Sequence, residues 1–301
     1  GIVDTAPDIS VSGTLLTSAA ASLKQNEVFY DTVATGLAAA LELIKDDPVT
    51  TDLTAVIAQT DQHCNIGAAR LTKVLANGTG AELVIQAGDY TTSGWDIERM
   101  CIEVQRLYNP ESAVGVIGNH DSNDTAHQLK DTGVNVLDHS AVTIDGMTYY
   151  GAPDPMRSVL GQPTTLRDKQ ESQDSFMTRL ERNVCDYKPN VLIVHNPRFA
   201  QAASRCADIT IAGHMHAETP PVRTDNDSFM ITLANSGGSA ENTQSVIGKF
   251  GDTSTSYILY IDTDQPKSRY VGMRRVTISP AGKVAVSEHI PFPETISRQH
   301  T

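Results

Sequence analysis

Ligand-type side chains stand at five places along this chain. They are Asp61 and His63 in "TDQHCN", Asp89 in "AGDY", Asn119 and His120 in "GNHDS", His195 closing "NVLIVH", and His214 and His216 in "GHMH". Imidazole nitrogens with carboxylate and amide oxygens suit first-row divalent metals. A lone Asp between two such sites can bridge them, placing two cations ~3.5–4 Å apart. Each place alone has an ordinary explanation, because Asn, Asp and Gly form turns and a single strand-end histidine can simply be a satisfied core residue. What the five share is position: every one follows an apolar run. In D-x-H and H-x-H, residues two apart on an extended segment face the same side, so each pair is expected to address one site.

The runs themselves read as strands. "TAVIAQ" (54–59), "ELVIQAG" (82–88), "AVGVIG" (113–118), "NVLIVH" (190–195) and "DITIAGH" (208–214) are almost continuously apolar, as strands covered on both faces are. Between them the spacing predicts helices over 66–75, 95–107, 125–130, 175–183 and 198–204. Shorter strands follow within 134–150, and 155–173 is irregular. The tail reads as strands: "FMITLANS", "TSYILYID", "YVGMRRVTIS" and "KVAVSEHI". This order predicts βαβ units first and antiparallel strands last. Ligands of open α/β sheets bind beyond the carboxyl ends of the strands, so all five places should meet on one rim. Residues 1–50 differ. "APDISVSG" could be a short strand, and helical spacing follows it, so the chain divides into an N-terminal helical segment (1–50) packing on a main domain (51–301).

Taken in order, Asp61-x-His63, Gly88-Asp89, Gly118-Asn119-His120-Asp121, His195 and Gly213-His214-x-His216 resemble the motifs of the calcineurin-like metallophosphoesterase superfamily. Those motifs are D-x-H, GD, GNH(D/E), H and GHxH, and the resemblance runs from residue 54 to about 290. It implies an α/β fold of two packed mixed β-sheets flanked by helices, a four-layer α-β-β-α sandwich. It also implies two divalent metal ions, one held by Asp61, His63, Asp89 and His216, the other by Asp89, Asn119, His195 and His214. Nitrogen and oxygen ligation leaves Mn, Fe or Zn open. The implied reaction is hydrolysis of a phosphomonoester or phosphodiester by a hydroxide bridging the ions, with His120 assisting the leaving group. Imidazole suits that task because it titrates near neutrality. Ser/Thr protein phosphatases of the superfamily follow GD with a further Asp-Arg-Gly signature. Here Tyr90-Thr91-Thr92-Ser93 follow instead, so that branch is not matched and His120 lacks its Asp partner. Asp121 is read as structural, capping a following turn. The alternatives are a nuclease-type phosphodiesterase of the same fold and a non-catalytic metal-binding scaffold.

A formal net charge of -13 argues against a nucleic-acid partner, which calls for a basic footprint. A small-molecule or lipid-linked phosphoester fits better. Arg157, Arg167 and Arg198 could each hold a phosphate oxygen, and Arg198 is best placed, three residues after His195. "NSGGS" (235–239) is a flexible loop beside the metals or an ordinary turn. His127, His139, His289 and His300 fit no motif. No apolar stretch reaches the ~20 residues of a membrane span. Val33–Ile44, the nearest, is interrupted by Thr35, Gly36 and Glu42 and reads as an amphipathic helix. The start at Gly1 reads as a processed product, with any anchor upstream. The four cysteines are free thiols or two bridges. Cys64–Cys101 and Cys185–Cys206 fit the expected topology, and would favour an oxidising, extracytoplasmic compartment.

Overall fold

The computed structural model describes residues 13–225, 228–238, 249–264 and 269–293, with side chains from residue 26 onward. The expected strand in "APDISVSG" and the residues Ser239 and His300 lie outside the described residues.

One helix, α1 (Gly13–Glu42), precedes the alternating part: β1 (Thr54–Gln59), α2 (Ile66–Thr79), β2 (Leu83–Gln86), the short helices α3 (Arg99–Glu103) and α4 (Gln105–Tyr108), β3 (Ser112–Gly115), α5 (Asn123–Asp131) and β4 (Asn135–Val136). The chain then forms the hairpin β5 (Ser140–Ile144) and β6 (Met147–Gly151), and a small ribbon of β7 (Met156–Arg157) with β8 (Thr165–Leu166). Next come α6 (Gln173–Tyr187), β9 (Val191–Ile193), β10 (Ile209–Ala212), β11 (Thr219–Asp225) and β12 (Ser228–Thr232). The strands β13 (Ser254–Asp262), β14 (Arg269–Ile278), β15 (Val284–Val286) and β16 (Ile290–Pro291) close the described chain.

Two mixed sheets result. One runs β15-β14-β13-β1-β2-β3-β4, with β16 also on β14; the other runs β11-β12-β10-β9-β6-β5. In the first, β1, β2 and β3 are mutually parallel; in the second, β6, β9, β10 and β12 are. Strand alternation divides each apolar run between two cores. Val56 and Ala58 of β1, Ile85 of β2, Val191 and Ile193 of β9 and Ile209 and Ile211 of β10 fill the space between the sheets. Ile57 and Val84 face α1 and α2 outside, while Leu192 and Ala212 face α6 on the far side. That is the four-layer α-β-β-α arrangement.

Three details bear on the site. Tyr30 of α1 donates from its hydroxyl to Asn65 Oδ1 at 2.9 Å, and Asn65 caps α2 by accepting from Ala68 N–H. The N-terminal helix therefore buttresses the turn that carries Asp61 and His63. Asp47, just past α1, pairs with Arg274, which is buried in β14. The helix expected over 95–107 begins instead as a 3-10 turn, Asp96–Glu98, because Glu98 folds its carboxylate back onto the preceding backbone. Likewise 198–204 is no α-helix but part of two 3-10 turns, Pro197–Phe199 and Ala203–Cys206. The strand β11 was not expected; its Pro220 and Pro221 are tolerated because it lies at a sheet edge.

Both bridges form, Cys64 to Cys101 and Cys185 to Cys206. Disulfides of this kind are the usual mark of an oxidising environment. Among the described residues no helix is long and apolar enough to cross a membrane.

Leu37 of α1 is fully buried against the first sheet. Leu37→Ala should therefore lower unfolding free energy by about 2–5 kcal/mol, read as a reduced urea midpoint with an unchanged slope. A change well under 1 kcal/mol, on the order of a surface substitution, would show that the helix does not share the cooperative core.

Candidate metal centre

The site is built on backbone that ordinary residues avoid. Asp61 (φ 52°), His63 (45°), Asp89 (56°), His214 (69°) and His216 (52°) all adopt the left-handed region, which is uncommon for residues other than glycine. The D-x-H and H-x-H segments are thus not extended, contrary to the expectation from strand alternation. They are coiled tightly just past the ends of β1 and β10. As a result His214 and His216 do not address one site: His216 joins Asp61 and His63, whereas His214 joins Asp89 and His195. Within each trio the candidate ligand atoms lie within 4.8 Å of one another.

Asp89 stands between the trios. Its Oδ2 lies 3.1 Å from His195 Nε2 and 3.8 Å from His63 Nε2. Its Oδ1 accepts the backbone N–H of His120 at 2.9 Å. This requires the chain at Gly118 to pass very close, since a Cβ there would sit 2.1 Å from Asp89 Oδ1. Asn119 Oδ1 approaches His195 Nε2 at 3.0 Å. Its amide nitrogen is turned to Ser158 Oγ at 2.9 Å. Asp61 Oδ2 accepts from Thr60 Oγ1 and from His214 N–H. Its Oδ1 is buried with no hydrogen-bond partner, 3.3 Å from His216 Nε2 and 3.6 Å from His63 Nε2.

Beside these hydrogen bonds, ring nitrogens crowd carboxylate and amide oxygens. A carbonyl can only accept, so His195 Nδ1 is the donor in its 2.7 Å contact with Ala87 O. In the neutral ring that leaves the Nε2 lone pair aimed at Asp89 Oδ2 and Asn119 Oδ1. His63 Nε2 and His216 Nε2 meet at 3.1 Å. A proton on His195 relieves this crowding, and a divalent cation in each trio could take its place with these atoms as ligands, so the residues fit such ions. Charge behaves accordingly. Burial pushes the Asp61 carboxyl up, but the imidazoles of His195, His216 and His63 outweigh it and hold it well below the usual range. Asp89 is likewise raised by burial, yet drawn down to about 2 by His195 and His63. Burial lowers His195, but Asp89 and Asp61 draw it well above its ordinary value.

The sequence-derived residues sort unequally. Asp61, His63, Asp89, Asn119, His195, His214 and His216 meet in one cleft, with the His120 ring 5.2 Å from that of His63. Arg198 is exposed, its guanidinium 5.8 Å from the Phe199 ring centroid. Arg157 and Arg167 are occupied otherwise. Arg157 donates to His120 O at 3.0 Å and to Asn119 O at 3.2 Å. Arg167 donates to Gly118 O at 2.8 Å and to Asp121 O and Asp154 O, each at 2.9 Å. Both brace the "GNHD" loop rather than wait for an anion. Asp121 caps no helix; Ser122 does that for α5. Asp121 instead accepts from Gly118 N–H and Thr91 N–H, each at 2.9 Å, stitching two site loops together. Asn235–Gly238 is a brace as well: Ser236 N–H and Gly237 N–H donate to Thr60 O and Asp61 O. Sequence reasoning missed Thr60, Ser158 and Glu98, common polar residues with no spacing signal.

The family model described as calcineurin-like phosphoesterase matches residues 54–218. No curated protein matches the chain. Similar solved structures include an archaeal phosphodiesterase at 16% identity, covering 72% of this chain and 99% of its own, with a TM-score of 0.40. The protein TT1561 of Thermus thermophilus is 10% identical, covers 78% and 99%, and has a TM-score of 0.48. The E. coli phosphoesterase Yfce is 12% identical, covers 80% and 100%, and has a TM-score of 0.38.

The raised His195 has a consequence for metal uptake. A group held above its ordinary 6.5 stabilises the metal-free fold fully below that pH, and the contribution is lost as pH rises through the raised value. A cation held here would displace this proton, and one on His63, which burial lowers but Asp61 and Asp89 raise on balance, whereas Asp61 and Asp89, held low, are already ionised. Apparent affinity for Mn²⁺ should therefore increase with pH, by about tenfold per unit while one proton is displaced. Calorimetric titration in buffers of different ionisation enthalpy would count the protons. Equal affinity between about pH 6 and pH 8 would contradict the assignment of His195 as a ligand.

Proposed function

The chain belongs to the calcineurin-like phosphoesterase family, and from that premise we propose that it hydrolyses a phosphomonoester or phosphodiester with two divalent cations. The observation that carries this reading is the pair of ligand trios with Asp89 between them. Asp61, His63, Asp89 and His216 would hold one cation; Asp89, Asn119, His195 and His214 the other. Cations held there would acidify a shared water and offset charge on the phosphoryl oxygens.

The rest falls to the chain. His120 Nδ1 donates to Thr92 O at 2.6 Å, which leaves Nε2 as the ring atom available to a leaving oxygen. The hydrogen bond from His120 N–H to Asp89 Oδ1 ties that ring's backbone to the carboxylate shared by both trios. Leaving-group assistance and phosphoryl binding are thereby held in one frame. Arg198, exposed and without a salt bridge among the described residues, is the cation we assign to an outer phosphate oxygen.

The test is hydrolysis of p-nitrophenyl phosphate and bis-p-nitrophenyl phosphate with Mn²⁺, Fe²⁺ or Zn²⁺, alongside metal analysis. Activity should disappear on chelation and return on metal addition. A protein that binds these ions yet hydrolyses neither ester would be a scaffold, and the reading would be wrong. His120→Ala should keep its metal but lose about 10²–10⁴ in kcat; loss of metal instead would make His120 a ligand.

A further inference from the structure

Among the described residues, no carboxylate accepts from the His120 ring. Its Nδ1 donates to a peptide carbonyl, Thr92 O, at 2.6 Å. Asp121, the acid next in sequence, is occupied by Gly118 and Thr91. The nitrogen of the peptide unit that His120 touches belongs to Ser93, and Ser93 N–H donates to Glu98 Oε2 at 3.1 Å. The same carboxylate accepts Trp95 N–H at 2.9 Å and, through Oε1, Thr92 N–H at 2.7 Å. Glu98 is buried. A buried carboxylate is costly unless hydrogen-bonded, and here three backbone donors of one loop provide those bonds.

Resting on the reading that His120 serves the leaving oxygen, we infer that Glu98 is a positioning residue for His120, acting through the Thr92–Ser93 peptide. Two physical effects combine. The N–H···carboxylate bond on one side of an amide strengthens its carbonyl as an acceptor on the other, because hydrogen bonds in series polarise one another. The three-donor clamp also fixes where that carbonyl points, and so the plane and tautomer of the imidazole. The chain Glu98–peptide–His120 thus stands where a direct carboxylate–imidazole contact would otherwise be made. Its far end is fixed covalently: Cys101, three residues beyond Glu98 on α3, is bonded to Cys64, next to His63. Glu98 and the metal trios are therefore parts of one cross-linked unit.

The experiment uses the Mn²⁺-loaded protein and two substrates, p-nitrophenyl phosphate with a good leaving group and phenyl phosphate with a poor one. Protonation of the leaving oxygen matters more for the poor one. Glu98→Gln keeps the volume and one acceptor oxygen but removes the charge. It should lower kcat on phenyl phosphate at least about tenfold and on p-nitrophenyl phosphate less than about threefold, with KM and metal content unchanged. His120→Ala should show the same preference more strongly, and the double variant should be no slower than His120→Ala, because the two act as one unit. If Glu98→Gln does not fold, Glu98→Asp carries the same test with a smaller effect. Equal losses on both substrates, lost metal, or a double variant slower than His120→Ala would overturn the inference and leave Glu98 a structural residue. A His120→Ala protein with no leaving-group preference would instead overturn the role of His120, and this inference with it.

Discussion

Asp89 Oδ2 lies between His195 and His63 while Asp89 Oδ1 receives the His120 N–H, and much of the molecule exists to keep that carboxylate there. It is buried, ionised and short of donors, a combination that proteins tolerate only with compensating charge. The compensation is two-sided. Imidazoles from β9 and from the turn after β10 come from one sheet, and the Asp61–His63 turn comes from the other. Neither sheet alone carries both halves of the cleft. The packed core between them, from Val56 and Ile85 across to Ile193 and Ile211, is what brings the halves within bonding distance.

The left-handed backbone at five candidate ligand positions follows from the same requirement. Residues two apart on an extended strand share a face but stand roughly 6.5–7 Å apart along it, so a strand that simply continued would space Asp61 from His63, and His214 from His216, by that much. Coiling just beyond the strand end lets Asp61 and His63, and likewise His214 and His216, aim at neighbouring points. Conformations of this kind cost on the order of 1–3 kcal/mol each, so the surroundings must hold them. Asp61 N–H and His63 N–H donate to Gly88 O and Asp89 O, so the two turns lock each other. Gly237 and Ser236 close on Thr60 and Asp61 from behind.

A second tier holds the loop that carries Asn119 and His120. Arg157 and Arg167 spend their guanidinium groups on the carbonyls of residues 118–121, and Asp121 collects N–H groups from both flanking loops. Charged side chains that bond backbone in this way turn an irregular segment into a rigid one. The irregular stretch expected over 155–173 therefore serves as a brace for the loop that carries His120. The Cys64–Cys101 bridge adds a covalent tie on the opposite side.

The amino-acid sequence determined the candidate ligand set of this protein and the succession of its main strands. Asp, His and Asn after five apolar runs could be read directly, because strand burial and ligand type are properties of short segments. It made the two cysteine pairings plausible from where the strands lie, but left free thiols open until the structure showed both bridges. Tertiary structure decided the rest. The split of His214 and His216 between the two trios, which the family resemblance implied and strand alternation opposed, rests on a backbone turn that no residue type announces. The employment of Arg157 and Arg167 depends on which carbonyls lie within reach, and an arginine awaiting phosphate is spelled no differently from one holding a loop. Glu98 was illegible for the same reason: it acts on His120 across a peptide unit, through space that only the folded chain defines.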